Sequence, residues 1–327
     1  MMNSTPDPIR IFIGSSPKNT IEEAVFRYTL QKYTKSAIEV HVINGQAGTA
    51  TNLTTGEVKK LPLNLINRIP GATAFSLGRW AIPEWCGYRG KAIYCDSDQV
   101  LLADLAELWN FDLSGCALAA VPVKQAKSAS AYIDSYLQTY LNVNDDYYLA
   151  SVMLIDCEKA AKFSLSSLID EMDRKVFSMS DLMYLGEKFR QYLNIEVKTL
   201  PSEWNHLDYV DETSKLVHFT NLDSQPWRFH HHPIAKFWED LFLEAIAQNA
   251  LSQDTVKTAY ANGWITARMK AIAIQNQSYP ESINQIWRRW SRIRLAIARF
   301  VTHQIKRVRF VWSRFTARST SVGNAEI

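Results

Sequence analysis

The sequence predicts an α/β protein in which a mixed, mostly parallel sheet is flanked by helices. The first observation is a strand, a helix and a second strand in succession over residues 9–43. The second is a series of short apolar runs further along the chain, each followed by polar or turn residues. The third is composition: 47% of the 327 residues are hydrophobic, which suffices for a large core.

The N-terminal elements form a strand–helix–strand unit. Residues 9–13 (IRIFI) are apolar and β-branched, and a turn of small residues follows them. Residues 20–33 have the apolar spacing of a helix, and Thr20 with Glu23 predicts a capping box at its start. Residues 37–43 (AIEVHVI) alternate and predict a second strand. Such a unit is right-handed with parallel strands, and the turn after its first strand is a place where α/β sheets bind nucleotides.

The next predicted strand ends in a pair of carboxylates. Residues 92–95 (AIYC) have the length and residue types of a buried strand, and Asp96 and Asp98 follow directly. Side chains at positions i and i+2 of an extended chain point to the same side, so both carboxylates can converge on one hard cation. Oxygen ligands of this kind suit Mg²⁺ or Mn²⁺. The alternative is a solvated turn, for which Asp-Ser-Asp is also good chemistry.

The remaining pattern completes an α/β body. The predicted strands are residues 116–123, 150–155, 195–200 and 216–219, and the predicted helices are residues 75–83, 105–111, 130–141, 165–174 and 233–247. This body ends near Ala250. The sequence therefore predicts a domain of residues 1–250 and a helical, basic, amphipathic extension of residues 251–327.

Charge is distributed unevenly along the chain. Residues 282–327 contain ten Lys and Arg and one acidic residue, which gives this segment a net charge of +9. Apolar residues recur between the arginines at helical spacing, as in a helix that lies in the plane of an anionic membrane surface. Nucleic acid would suit the charge, but the Trp, Ile and Phe residues favour lipid, and no nucleic-acid partner is expected. A helix packed on the body or on a second subunit is the alternative, and the oligomeric state stays open.

Two further features bear on the cellular compartment. The four cysteines form no C-x-x-C pair, which is typical of a reducing compartment. The N-terminus has no signal-peptide pattern, and no run of about 18 apolar residues occurs. We expect a cytoplasmic protein that associates peripherally with the inner face of a membrane.

Several segments together resemble the glycosyltransferase family 8 type. They are IFIGSSPKN, TAFSLGRWAIPEWCGYRGKAIYCDSD, YLASVMLID, SDLMYL, LPSEWN and HFTNLDSQPW, in this order over about residues 9–243. The resemblance implies a GT-A fold and a nucleotide-sugar donor. Asp96 and Asp98 resemble the metal-binding D-x-D pair, with Ser97 between them near the nucleotide ribose. His218 resembles the third protein ligand, and the set implies Mn²⁺, or Mg²⁺, as cofactor.

The resemblance also implies residues that contact the donor. Gly14 and Ser15 correspond to the loop under the nucleotide base. Arg79 corresponds to an arginine that approaches the donor phosphates or sugar, with a surface salt bridge as the alternative. Asp181 corresponds to an acid in the donor-sugar pocket, which stabilises charge on the sugar or orients a donor hydroxyl. An N-cap at Asp181, in Ser180-Asp181-Leu182, is the alternative.

Other matching positions lie in loops that close over donor and acceptor, namely Trp204, Asn205, Asn221 and Gln225. Two of them depart from the family pattern. Asn221 stands where a glycine is usual, and Gln225 precedes Pro-Trp where a lysine would pair with the diphosphate. Leu182 also stands where a glutamine usually follows the acid.

The function that the resemblance implies is metal-dependent transfer of a sugar from a nucleotide-sugar, with a UDP-sugar as the expected donor, to an unknown acceptor with retention of anomeric configuration. Because the sequence contains no evident strong nucleophile, we expect substrate-assisted attack on the front face of the sugar. The departures from the pattern motivate an alternative, which is a catalytically weakened nucleotide-sugar-binding protein or a membrane-associated scaffold.

Overall fold

A computed structural model describes residues 7–61, 75–128, 146–162 and 164–275, together with helical residues 285–286, 289–290, 292–294 and 296–297. Its strands, in chain order, are β1 Ile9–Ser15, β2 Ile38–Asn44, β3 Thr49–Asn52, β4 Val58–Lys60, β5 Lys91–Asp96, β6 Gln99–Leu101, β7 Leu118–Pro122, β8 Tyr148–Asp156, β9 Val197–Thr199, β10 His206–Leu207 and β11 Leu216–His218. Its α-helices are α1 Thr20–Tyr33, α2 Ile82–Trp85, α3 Leu105–Trp109, α4 Leu165–Asp173, α5 Met179–Met183, α6 Glu187–Leu193, α7 Ala235–Ala247, α8 Gln253–Ala261 and α9 Ala267–Gln275.

Eight of these strands form one sheet in the order β4-β3-β2-β1-β5-β8-β7-β9. Strand β1 is parallel to both β2 and β5, and β7 is parallel to β9. Strand β8 runs antiparallel to β5 and β7, and β3 runs antiparallel to β2 and β4. Within this eight-stranded sheet, all strands except β3 and β8 therefore run in the same direction. This confirms the predicted α/β class with a mixed, mostly parallel sheet.

Both faces of the large sheet are covered, as the continuous apolar strands require. Along β1, Ile11 and Ile13 belong to one hydrophobic cluster and Phe12 to another. Along β5, Ile93 and Cys95 join the first cluster and Tyr94 joins the second. This alternation follows from the period of two along a strand. It places the end of β5 between two packed layers. This position fixes the direction of the Asp96 and Asp98 carboxylates, at and just after the last residue of β5.

A small second sheet brings distant segments to the end of β5. Its order is β10-β11-β6, in which β11 pairs antiparallel with β6 and parallel with β10. Strand β6 starts one residue after Asp98, and His218, the last residue of β11, lies opposite Gln99. The pairing therefore carries His218 to the carboxylate pair across more than 100 residues of chain.

One local prediction is wrong. Helix α1 starts at Thr20, so Thr20 is its first residue and not its cap. The hydroxyl of Thr20 donates to the carbonyl of Pro17 at 2.6 Å, and the cap residue Asn19 makes no side-chain cap bond. The side-chain amide of Asn19 instead donates to Glu22 at 2.6 Å. The 3-10 turn of Pro17–Asn19 before the helix displaces the capping box.

The hydrophobic core continues past the predicted boundary at residue 250. Helices α8 and α9 share a cluster with α1 and α7 through Val256, Met269 and Ile272. The division at 250 and the role of the extension stay predictions. The predicted helix of residues 130–141 lies outside the described residues. Within the described part of the chain, no helix has both the length and the hydropathy to cross a membrane.

Candidate metal centre

The carboxylate pair and His218 meet at the carboxyl end of β5. One ligand atom from each of Asp96, Asp98 and His218 lies within 4.8 Å of the others. His218 Nε2 is 3.1 Å from Asp98 Oδ1 and 3.9 Å from Asp96 Oδ2. The backbone closes the arrangement, because the Phe219 amide donates to the Asp98 carbonyl at 2.9 Å. The structure therefore brings together the three residues that the sequence assigned to a metal.

These residues fit a divalent cation. Asp98 Oδ1 is buried without a hydrogen-bond partner among the described residues, although His218 Nε2 lies close to it. A buried carboxylate oxygen left in this state is costly unless something binds it. Two carboxylates and one imidazole offer the hard oxygen and nitrogen ligands that Mn²⁺ and Mg²⁺ accept.

A hydrogen bond donated to Asn205 orients the His218 imidazole. His218 Nδ1 lies 3.3 Å from Asn205 Oδ1, and the Asn205 amide donates to the Ser151 hydroxyl at 2.9 Å. Since the amide oxygen can only accept, Nδ1 carries the proton and the Nε2 lone pair is directed at the carboxylates. Asn205 is fully buried. The sequence placed it in a loop over the substrate, whereas the structure places it behind the metal ligand.

Arg79 and Tyr94 hold Asp96. Arg79 Nη2 is 3.3 Å from Asp96 Oδ1, and the Tyr94 hydroxyl donates to the same oxygen. The Arg79 guanidinium lies over the Tyr94 ring at 4.6 Å, and its Nη1 donates to the Ala150 carbonyl at 2.7 Å. Arg79 is buried, so the surface salt bridge considered for it is excluded. Its charge lies directly behind a metal ligand.

Burial and charge shift the pKa values of the cluster. Burial raises the pKa of Asp96 above its ordinary value, and the nearby charges of Arg79 and His218 only partly offset this. For His218, burial lowers the pKa, but the negative charges of Asp98 and Asp96 outweigh burial and raise it. Both pKa shifts arise because three ionisable groups lie close together in a small buried space. A divalent cation bound there would favour ionised carboxylates and a neutral imidazole.

The loop after β1 touches the carboxylate turn. The Ser97 amide donates to the Gly14 carbonyl at 3.0 Å, and the Ser15 hydroxyl donates to Glu23 at 2.7 Å. A Cβ on Gly14 would lie 2.2 Å from the Tyr94 hydroxyl oxygen. Only glycine leaves room for the tyrosine that holds Asp96. Gly14, Ser15 and Ser97 thus lie beside the metal cluster, and their contacts with the nucleotide stay predictions.

Gln225 also belongs to this centre. Its amide donates to Asp98 Oδ2 at 3.2 Å and to the Phe219 carbonyl at 3.2 Å. Its backbone amide donates to the Asn221 carbonyl at 3.0 Å, so residues 221–225 form a tight turn. The sequence assigns Gln225 to a loop over donor and acceptor, where it replaces a lysine, and that role stays a prediction. Its contact with a metal ligand depends on the second sheet, which no local pattern predicts.

Two other predicted site residues have structural roles. Asp181 forms a capping box for α5, because its Oδ2 accepts from the Ser178 amide at 2.8 Å and from the Ser178 hydroxyl at 2.6 Å. Trp204 is buried in the cluster that contains Leu216, and the Lys215 ammonium lies over its ring at 5.3 Å. This packing accounts for Trp204 without a substrate contact. Functional roles for Asp181 and Trp204 stay predictions.

The chain is similar to a known protein family and to two known proteins. A family model described as glycosyl transferase family 8 matches residues 27–241. Protein CDI of Arabidopsis thaliana is 25% identical over 235 residues, which cover 69% of this chain and 82% of that protein. A probable UDP-glucose:glycoprotein glucosyltransferase A of Dictyostelium discoideum is 27% identical over 134 residues, which cover 38% of this chain and 8% of that protein.

Two solved structures share the fold. The galactosyltransferase LgtC in complex with donor and acceptor sugar analogs aligns with a TM-score of 0.52 and 17% identity over 72% of this chain and 95% of that chain. The apo structure of the bifunctional glycosyltransferase WbbM aligns with a TM-score of 0.51 and 16% identity over 74% of this chain and 50% of that chain. The GT-A fold implied by the resemblance is thereby confirmed.

Proposed function

The chain belongs to glycosyl transferase family 8 and is a glycosyltransferase that uses a nucleotide-sugar donor, and from this premise we propose a metal-dependent, retaining transfer from a UDP-sugar. The observation that carries the proposal is the cluster of Asp96, Asp98 and His218, with ligand atoms within 4.8 Å of one another. The acceptor is a hydroxyl-bearing molecule whose class the site does not specify.

The cluster has the chemistry to hold the donor diphosphate. Asp96, Asp98 and His218 would bind Mn²⁺ or Mg²⁺, which acts as a Lewis acid on the diphosphate leaving group when bound. Asn205 keeps the His218 Nε2 lone pair available, and Arg79 holds Asp96 in place. The Arg79 charge also adds to the positive potential that favours the departing diphosphate.

Retention is proposed to occur by front-face attack. The acceptor hydroxyl approaches on the side from which the diphosphate leaves, and the leaving group takes up the hydroxyl proton. Asp181, the acid that the resemblance assigns to the sugar pocket, uses Oδ2 for two hydrogen bonds from Ser178 in a helix cap. This engagement favours an electrostatic or positioning role over that of a covalent nucleophile.

The choice of UDP rests on similarity and on local geometry. The relative from Dictyostelium discoideum is named for UDP-glucose. In this chain, Gly14 and Ser15 end β1 next to the carboxylate turn, where the carboxyl ends of parallel strands form the usual nucleotide crevice. We propose that the uridine lies against this loop and that the diphosphate extends towards Asp98.

The test compares sugar transfer and donor hydrolysis across a panel of UDP-sugars with Mn²⁺, and UDP binding by calorimetry with and without the metal. We expect Asp96→Asn and Asp98→Asn each to lower activity by at least about 100-fold, because each removes a charged ligand from a site of three. Asp254→Asn, at an exposed position in α8, is the matched control and should retain activity. Unchanged activity in both ligand variants would overturn the site assignment.

A second candidate function is nucleotide-sugar binding without efficient turnover. The specific observation is that the neutral amide of Gln225 contacts Asp98 where a lysine would carry positive charge. Loss of that charge weakens stabilisation of the leaving diphosphate. Metal-dependent UDP binding without turnover on any donor and acceptor tested would favour this candidate.

We also propose that the C-terminal segment attaches the protein to an anionic membrane surface on the cytoplasmic side. Four apolar residues of the described helical stretches are exposed: Ile286 by 56%, Trp290 by 64%, Ile293 by 41% and Ile297 by 59%. Their spacing of four, three and four places them within about 60° of one another around a helix axis. An exposed apolar stripe beside arginines suits the boundary between headgroups and acyl chains.

Vesicle flotation tests the membrane proposal. The full chain should float with vesicles that contain anionic lipid, and less with neutral vesicles or at high salt. Trp290→Ser combined with Ile293→Ser should reduce flotation several-fold. Leu53→Ser changes an exposed apolar residue distant in sequence from the C-terminal segment and should leave flotation unchanged. Equal flotation of all three proteins would contradict the proposal.

A further inference from the structure

A buried aspartate–histidine pair lies next to the metal centre without contributing a ligand. Asp208 and His232 are both almost completely buried. His232 Nε2 lies 2.9 Å from Asp208 Oδ1. The Ile234 amide donates to His232 Nδ1 at 3.2 Å, so the ring proton is on Nε2 and is donated to Asp208. The pair therefore has one defined hydrogen-bond direction with a neutral imidazole.

Asp208 connects three separate parts of the site. Its backbone amide donates to the carbonyl of His218, the third metal ligand, at 2.8 Å. Its Oδ2 accepts from the Thr220 hydroxyl at 2.8 Å, and the Asn221 amide lies 3.5 Å from its Oδ1. Asp208 thus binds the end of β11 through its backbone amide, and through its side chain it binds the turn after β11 and, by way of His232, the segment before α7.

The backbone conformation of Asp208 is uncommon for a residue other than glycine. Its φ angle is +54°, in the left-handed region, which residues other than glycine seldom adopt, although aspartate does so more readily than most. A buried carboxylate adds a desolvation cost, and apolar residues of similar size often fill such a space with equal or better stability. Packing alone does not account for a buried, charged residue that binds the backbone of a metal ligand and the turn that follows it.

We propose that Asp208 and His232 are positioning residues for the metal centre. They hold the His218 backbone and the turn of residues 219–225 in register, and that turn carries Gln225 to Asp98. Contacts of this kind set the orientation of a ligand and the affinity of the metal without touching it. The inference rests on the proposed metal-dependent function, and it adds residues that touch neither donor nor metal.

The packing around His232 connects the position of its ring to the metal centre. The His232 ring lies 5.2 Å from the Phe219 ring, and Phe219 follows His218 directly. Phe219 also packs on Trp227 at 6.1 Å. The backbone amide of Phe219 is the group that donates to the Asp98 carbonyl. A displaced His232 therefore shifts the residue that joins β11 to the carboxylate turn.

The test measures Mn²⁺ affinity in the presence of saturating UDP by calorimetry, together with the unfolding midpoint. We expect His232→Leu, which removes the imidazole donor from Asp208 Oδ1, to weaken Mn²⁺ binding about 10-fold to 100-fold. His232→Gln retains an N–H donor at the Nε2 position and should restore affinity to within a few-fold of the parent. Asp208→Asn, which keeps the size of the side chain, serves if His232→Leu fails to fold, and should also weaken Mn²⁺ binding.

His41→Leu is the matched control. His41 is buried and pairs with Glu39 at 2.8 Å on β2, so its loss removes a comparable histidine–carboxylate contact outside the metal cluster. It should lower the unfolding midpoint while leaving Mn²⁺ affinity unchanged. Hydrogen exchange gives a second readout, because His232→Leu should accelerate exchange of amides in residues 219–225 and His41→Leu should not.

The outcomes separate this inference from the proposed function. If the parent binds Mn²⁺ with UDP and His232→Leu and Asp208→Asn bind it equally well, the positioning role is overturned and the metal site stands. If the parent shows no metal-dependent UDP binding, the proposed function fails and the positioning role fails with it. If His41→Leu weakens Mn²⁺ binding as much as His232→Leu does, the loss of affinity comes from general destabilisation of the fold. That outcome would also overturn the inference.

Discussion

At the scale of single residues, the absence of a side chain at Gly14 is as important as the charges around it. The Tyr94 hydroxyl occupies the space where a Cβ of residue 14 would lie, and from there it donates to Asp96. Burial raises the pKa of Tyr94 well above its ordinary value, so this hydroxyl stays a donor at all physiological pH values. The position of one metal ligand thus depends on a glycine in a neighbouring strand.

This dependence predicts the effect of Gly14→Ala. The new methyl group would lie 2.2 Å from the Tyr94 hydroxyl and 2.6 Å from Phe75 Cδ2, and one of these rings must move. We expect a loss of about 1–3 kcal/mol in the free energy of unfolding and weaker Mn²⁺ binding with UDP. Denaturant unfolding and calorimetry measure the two effects.

A double-mutant cycle with Tyr94→Phe identifies which contact matters. Tyr94→Phe removes the oxygen at 2.2 Å, so Gly14→Ala should cost less in that background than in the parent. An equal cost in both backgrounds would show that Phe75, and not Tyr94, requires glycine at position 14.

At the scale of elements, the site depends on pairing between strands that are distant in sequence. The strand before Asp96, the spacing of the two carboxylates and the candidate ligand His218 follow from local pattern and from the family resemblance. The contacts of Asn205 and Gln225 do not, because they arise only when β6, β10 and β11 pair. The sequence predicts a strand at β11, but β6 and β10, of three and two residues, leave too little periodicity to be predicted, and no local pattern shows which strands pair.

The error at α1 has a related cause. Thr20 and Glu23 satisfy the capping-box pattern, but the 3-10 turn that precedes the helix places Thr20 inside it. Ser178 and Asp181 do form a capping box, in which Ser178 is the N-cap and Asp181 the third helical residue, whereas the sequence offered Asp181 itself as the N-cap. Capping motifs identify the neighbourhood of a helix start, while the preceding backbone decides which residue becomes the cap.

At the scale of the whole molecule, the chain combines a layered α/β body with a helical cluster that shares its core. Trp227, Trp238 and Phe242 are fully buried in this cluster, and α8 and α9 cover it. The same cluster includes Phe219, which follows the metal ligand His218. The helices after residue 250 therefore stabilise the part of the body that carries the metal centre, although composition alone assigns them to an extension.

Two truncations of the chain test this view of the body. A protein of residues 1–250 lacks α8 and α9, which exposes the aromatic cluster around Trp227, and burial of each large side chain contributes about 1.5–3 kcal/mol. We expect it to aggregate or to unfold at a much lower temperature. A protein of residues 1–281 keeps both helices and should retain cooperative unfolding and metal-dependent UDP binding, while losing flotation with anionic vesicles. Thermal unfolding and calorimetry on both proteins decide the matter, because a stable, UDP-binding protein of residues 1–250 would restore the boundary that the sequence predicts.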